Sequence, residues 1–356
     1  MQQDKSIKLI LDDGTVFEGK SFGAEKPNSG EVVFSTAMVG YPESLTDPSY
    51  MGQLLVVTFP LVGNYGVPAN TTTDGISTFF ESEKIHVNGL IISDYSHEYS
   101  HWNAKKSLGE WLKENDIPGI YDIDTRELTK MIREKGSMKG KIVFENENEV
   151  DFYDPNSENL VAAASCKEVI TYGNGSKKVV LVDCGIKHNI IRCLLKYDVT
   201  LIRVPWDYDF NEMEWDGLFI SNGPGNPDYC DITVANIRKA MERNKPICGI
   251  CMGNQLLAKA GGASTYKLKY GHRSHNQPVR MVGSERCFIT SQNHGYAVSN
   301  SSLGQDWEPL FVNLNDGTNE GIQHKTKPFF SAQFHPEAAS GPTDTDFIFK
   351  MFIDKL

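Results

Sequence analysis

The chain has 356 residues, 40% of them hydrophobic and 23% charged, and its 35 Lys plus Arg against 46 Asp plus Glu leave a formal net charge of −11. That length predicts two domains, each large enough to bury a core, and the acidic balance without a basic stripe excludes an electrostatic footprint for nucleic acid or an anionic membrane. No apolar run approaches the ~20 residues of a bilayer span, and the first thirty residues carry neither a secretory core nor an Arg-rich transit pattern, so the expected compartment is the cytoplasm, or the mitochondrion if a presequence has been removed. The 7 cysteines, an odd number scattered through the chain, read as reduced thiols.

Residues 7–11, the turn Asp12-Asp13-Gly14 and residues 16–17 predict a β-hairpin. Residues 31–36 and 54–59 are further β-rich runs. Trp102, Leu108, Trp111 and Leu112 lie near helical spacing, and Pro118-Gly119 stops that helix. A second helix is announced by Asp124 with Glu127 three residues on, a capping-box pattern; Leu128, Met131 and Ile132 form its apolar stripe and Gly136 its stop. Two polar, turn-rich breaks follow at 145–159 and 171–176, which places a domain at 1–150, a linker at 151–176 and a second domain at 177–356.

The second half alternates strand and helix. Val179-Val180-Leu181-Val182 is an apolar run of the kind buried on both faces of a parallel sheet. A helical stripe (Ile186, Ile190, Ile191, Leu194, Leu195), strands at 199–204 and 218–220, a helix at 233–243 and a strand at 246–250 complete a βαβαβ succession. Such a succession predicts a doubly wound α/β sheet with its site at the carboxyl ends of the strands.

Gly249-Ile250-Cys251-Met252-Gly253 stands at one of those ends and reads as a nucleophile elbow. A tight strand-to-helix turn projects the sulfur clear of the backbone at the positive end of a helix, which favours thiolate. A base is still required, and Gln333-Phe334-His335-Pro336-Glu337 supplies one. Pro336 keeps His335 extended, so residues 335 and 337 project to one side, with His335 as base and Glu337 as its orienter. Ser221-Asn222-Gly223-Pro224-Gly225 ends another strand, where glycines let backbone N–H groups approach an oxyanion.

In this order and spacing, the three segments resemble a class I (triad) glutamine amidotransferase domain. Gly40-Tyr41-Pro42-Glu43, residues 45–50, Gly63-Asn64-Tyr65-Gly66 and residues 124–129 resemble the small subunit of carbamoyl phosphate synthetase, of the glutamine-dependent eukaryotic-like type. The resemblance implies an α/β chain in which an N-terminal β-rich small-subunit domain precedes a doubly wound amidotransferase domain. It implies that Cys251 attacks the side-chain amide of L-glutamine, that His335 relays the proton, and that ammonia leaves before water hydrolyses a γ-glutamyl thioester. The backbone N–H groups of Met252 and Gly225 would hold the oxyanion. Ser49, Gly223, Gly225, Met252, Gln255, Gln292, Asn293, Gly295 and Tyr296 would hold glutamine, with Ser49 placing the pocket at the domain interface. No cofactor is expected on this chain, because ATP and magnesium belong to the large synthetase subunit or domain, its expected partner. Asn254 departs from the family, which commonly has histidine there.

Other readings carry less. Cys248 and Cys251 form a C-x-x-C, but Cys248 falls inside the predicted strand. His272, His275, His294 and His324 show no i, i+4 pair, so no metal site is expected. The non-enzyme alternative is a catalytically silent docking or regulatory subunit of an ammonia-dependent synthetase.

Overall fold

A computed structural model describes residues 5–144 and 150–356, so the polar run 145–149 lies outside the described residues. The chain divides into two compact units, 1–157 and 158–356.

The first unit is a closed barrel. Its strands are β1 (Ser6–Leu11), β2 (Val16–Ser21), β3 (Asn28–Ser35), β4 (Gln53–Val57), β5 (Gly89–Ile91), β6 (Gly119–Tyr121) and β7 (Met138–Phe144), in spatial order β1-β7-β3-β4-β5-β6-β2. The predicted hairpin is β1–β2, paired antiparallel, whereas β3, β4, β5 and β6 run parallel to one another. Alternation along β1 buries Ile7, Leu9 and Leu11, the period-2 signature of a one-sided strand. Helix α1 (Tyr41–Thr46) follows β3. Helix α2 spans Leu108–Glu114 and is closed by a reciprocal capping box between Ser107 and Glu110 that the sequence reading missed. Trp102 is no part of it: the tryptophan is 85% exposed and six residues short of the helix start, because Ser107 is the residue whose side chain can cap. Helix α3 (Thr125–Lys135) begins at Asp124, whose carboxylate accepts the Glu127 N–H at 2.8 Å, and ends at Gly136 with φ 100°. Glu127 itself turns to Lys130 at 3.0 Å, so only half of the expected box forms.

The second unit carries a ten-stranded sheet. Its strands are β8 (Ile170–Tyr172), β9 (Lys177–Asp183), β10 (Val199–Pro205), β11 (Gly217–Ile220), β12 (Ile247–Ile250), β13 (Thr265–Met281), β14 (Cys287–Val298), β15 (Trp307–Asn313), β16 (Asn319–His324) and β17 (Phe329–Ala332). The spatial order is β8-β10-β9-β11-β12-β17-β16-β15-β13-β14, with β10, β9, β11, β12 and β17 parallel. After α4 (Leu160–Ala164) and α5 (His188–Leu194), Val180, Val182, Leu218 and Ile220 pack on one face against Val234 and Ile237 of α6 (Asp231–Met241) and Leu256 and Leu257 of α7 (Met252–Ala260). The other face puts Phe219 against Phe349 and Phe352 of α8 (Phe347–Ile353), with centroids 6.0 and 5.3 Å away. Each such buried phenylalanine contributes on the order of 2 kcal/mol. The expected break at 171–176 starts inside β8, which pairs antiparallel with β10; a short edge strand needs no long apolar run, so composition conceals it.

Candidate active site

Strands β11, β12 and β17 are neighbours, and all three end on the site. Cys251 follows β12 as the N-cap of α7. It sits at φ 55° and ψ −103°, a conformation that costs a non-glycine residue about 1–3 kcal/mol and is held only by its surroundings. Those surroundings are tight: a Cβ on Gly253 would lie 2.2 Å from the Ile220 carbonyl oxygen, so the first turn of α7 packs on β11 only through a glycine. The Cys251 N–H donates to Ala332 of β17 at 2.8 Å, and its thiol donates to the Asn293 carbonyl at 3.7 Å.

His335 lies three residues beyond β17. Kept extended by Pro336, it donates its own N–H to the Ser291 carbonyl at 2.8 Å and forms a single bridge with β14. Its ring Nδ1 donates to Glu337 Oε1 at 2.6 Å. The same oxygen accepts Lys187 Nζ at 3.0 Å, and Asn189 donates to the Glu337 backbone carbonyl. Burial would raise the Glu337 carboxyl, but Lys187 and His335 together hold it down at about 2. Burial would likewise neutralise His335, yet Glu337 outweighs it and lifts the imidazole to about 10, with the charge of Cys251 adding in the same sense. His335 Nε2 is buried and without a hydrogen-bond partner among the described residues. The ring is therefore poised to hold a proton given up by the neighbouring Cys251 and to return it to a leaving group, with Glu337 stabilising the charged imidazole.

Lys187 was not found from the sequence. It is 7% exposed and reaches Glu337 because the turn after β9 is locked by Asp183. That carboxylate accepts the N–H groups of Gly185 and Ile186 at 2.8 and 2.9 Å on one oxygen, and Arg203 Nε and Nη2 at 2.8 and 2.6 Å on the other. The available signal was a lysine placed just after a buried strand end, where an unpaired charge is costly.

Of the expected substrate residues, Ser49 belongs to the first unit, in the turn Pro48–Tyr50, and its N–H donates to Asp47 at 2.9 Å. The others lie in the second unit. Gly223 and Gly225 follow β11; a Cβ on Gly223 would lie 2.0 Å from the Cys184 carbonyl oxygen, and Gly225 has φ 80°. Met252 opens α7, in the turn whose N–H groups lack helical acceptors. Gln255 follows on the same helix, while Gln292, Asn293, Gly295 and Tyr296 lie on β14.

Beneath β14, strand pairing brings together groups that linear spacing kept apart. His272 and His294 face each other across the β13–β14 ladder, and with Glu320 they place potential ligand atoms within 4.8 Å of one another. These atoms are engaged with neighbours. Gln292 Oε1 lies 3.0 Å from His272 and 3.1 Å from His294, Asp316 accepts from His272 at 2.9 Å, and Asn313 donates to Glu320 at 2.9 Å. Burial works against the charged form of His272, but Asp316 and Glu320 raise it to about 9. Cys248 is fully buried within β12, its thiol pushed up by burial alone.

Residues 9–142 match the family described as carbamoyl-phosphate synthase small chain, CPSase domain, and residues 180–355 match glutamine amidotransferase class-I. The chain is 53% identical to the multifunctional protein CAD of Squalus acanthias over 352 residues, 97% of this chain and 16% of that protein. It is 51% identical to the mitochondrial carbamoyl-phosphate synthase (ammonia) of Homo sapiens over 353 residues, 98% of this chain and 23% of that protein. It thus spans a quarter or less of the length of these relatives. A solved glutamine amidotransferase from Thermotoga maritima aligns with a TM-score of 0.38 at 17% identity, covering 46% of this chain and 78% of that one. Among the described residues no helix is long and apolar enough to cross a membrane.

Proposed function

From a chain that belongs to the carbamoyl-phosphate synthase small-chain family in its first part and to the class-I glutamine amidotransferases in its second, we propose a glutaminase that feeds ammonia to a carbamoyl-phosphate-forming synthetase. Cys251 attacks the side-chain amide carbon of L-glutamine and passes its proton to His335 Nε2. The developing oxyanion rests on the N–H groups of Met252 and Gly225, where one donor typically contributes 10²- to 10³-fold in rate. His335 then gives the proton to departing ammonia, leaving a γ-glutamyl thioester on Cys251. Water, deprotonated by the same imidazole, releases glutamate. Gly223, Gln255, Gln292, Asn293, Gly295 and Tyr296 hold the substrate.

The observation that carries this reading is the buried line Lys187, Glu337, His335, which ends on an unpartnered ring nitrogen and raises its proton affinity. The ammonia goes to a large synthetase subunit or domain, which binds ATP and magnesium and supplies pyrimidine or arginine synthesis. The test is ammonia release from glutamine by the purified chain, with and without that partner, together with labelling by a glutamine-mimicking electrophile mapped by peptide mass. Label on Cys251 and ammonia release lost in Cys251→Ser are expected. Label elsewhere defeats the assignment, and silence even with the partner present makes the chain a docking subunit.

A further inference from the structure

Asn254 is fully buried one helical turn past the nucleophile. Its side chain crosses to the base-bearing strand at two points: Oδ1 accepts the Ser331 hydroxyl at 2.7 Å and Nδ2 donates to Gln333 Oε1 at 2.8 Å. Gln333 Oε1 also accepts Gln255 Nε2 at 3.3 Å, and Gln255 Nε2 donates to the Tyr296 carbonyl at 3.0 Å. At the far end the Ser331 hydroxyl accepts the Ile322 N–H at 3.3 Å, and the Ile322 carbonyl at 3.4 Å is a far longer acceptor for its proton than Asn254 at 2.7 Å.

These bonds form one directed relay, Ile322 N–H to Ser331, Ser331 to Asn254, Asn254 to Gln333, and Gln255 both to Gln333 and to Tyr296. Amide orientations are fixed only by such networks, and here a backbone donor anchors one end and a backbone acceptor the other. Rotating the Gln333 amide would set its N–H groups against two donors. Its Nε2 instead stays buried without a partner, at the cost such a group carries. Both N–H groups of Gln255 are spent on this relay. Its Oε1 is the one polar atom of that amide that the relay does not use.

We propose that Asn254 is a positioning residue for substrate recognition: through Gln333 it fixes the Gln255 amide so that Oε1 is presented to an N–H of the glutamine substrate. The inference rests on the glutaminase reading and deepens it by assigning that site an obligatory hydrogen-bond acceptor. The Cys251 N–H donates to the Ala332 carbonyl, between Ser331 and Gln333, so the nucleophile's backbone is held to the base strand by a bond of its own that the relay does not use.

The test uses the 356-residue chain. Asn254→Asp keeps size and shape but turns an oxygen toward Gln333 Oε1, which forces that amide over and sets it against Gln255. A site built to hydrogen-bond its ligand loses roughly 5- to 100-fold when that group is misdirected, so KM for glutamine is expected to rise within that range while kcat stays within about threefold. Alkylation of Cys251 by iodoacetamide, which has no amino-acid moiety, keeps its rate. Asn254→His, with one N–H and one lone pair, restores KM, and in a Gln255→Leu background N254D adds no further penalty. Equal losses in kcat and alkylation, or effects of N254D and Q255L that simply add, overturn the inference. If N254D does not fold, Ser331→Ala cuts the relay one link earlier, and an unchanged KM there overturns it as well. A wild-type chain that is alkylated at Cys251 yet releases no ammonia defeats the glutaminase reading itself, and this inference with it.

Discussion

The proposed nucleophile, Cys251, and its proposed base, His335, are built in opposite ways. Five consecutive residues, Gly249 to Gly253, make the elbow, and its strain is absorbed on the spot by close glycine contacts. The base needs residues from the turn after β9, the segment beyond β17 and the Ser291 carbonyl of β14, far apart in the chain and joined only by the completed sheet. Nucleophilic geometry is thus a local property of the backbone, while proton affinity is a property of the whole unit.

That contrast breaks most sharply at its centre. Cys251→Ser is expected to lower glutamine hydrolysis by ~10⁴-fold or more, as removal of a triad nucleophile does, whereas Cys248→Ser leaves ammonia release within about twofold; an equal loss from Cys248 would restore a dithiol role. On the other side, Lys187→Met removes the cation beside Glu337 without touching the elbow. Leaving one member of a buried pair alone costs about 3–5 kcal/mol, read as a lower denaturant midpoint. Glu337 then protonates more readily, so the acid limb of the rate profile moves to higher pH; an unmoved limb would show that Lys187 does not set the Glu337 charge.

Gly253→Ala tests the local side. With a methyl carbon forced to 2.2 Å from the Ile220 oxygen, stability falls by about 1–3 kcal/mol in thermal unfolding and Cys251 alkylation slows. A smaller effect belongs to His272. Its proton is held more tightly in the folded chain than in the unfolded, so its contribution is complete below about 6.5 and disappears as pH rises through about 9. His272→Asn should therefore narrow the difference in melting temperature between pH 6 and pH 9.5. The least effect is expected at Trp102, 85% exposed, where Trp102→Ala changes the melting point within error.

Legibility in the sequence follows the same division. The elbow, the parallel core and α3 were readable because glycines, continuous apolar runs and caps act over a few residues. His335 and Glu337 were readable because Pro336 fixes their backbone. Lys187, Asp316, Glu320, Ser331 and Gln333 were not, since each has meaning only through a partner on another strand. Trp102 misled for a related reason: helical spacing continued backwards past the residue able to cap. The histidine cluster shows the reverse error, in which spacing along the chain separated His272 and His294 although the ladder sets them opposite each other.

Strand β14 lies at the margin of the ten-stranded sheet, paired along one flank to β13. Its backbone carbonyls serve as mounting points, Ser291 for the base, Asn293 for the thiol and Tyr296 for Gln255. Side-chain and carbonyl directions invert with every residue of slippage, so this stretch tolerates no change of length. Added residues are accommodated in the turn around Gly283, where open space surrounds the chain, and lineages that lengthen this arm should do so there, leaving 291–296 at fixed count.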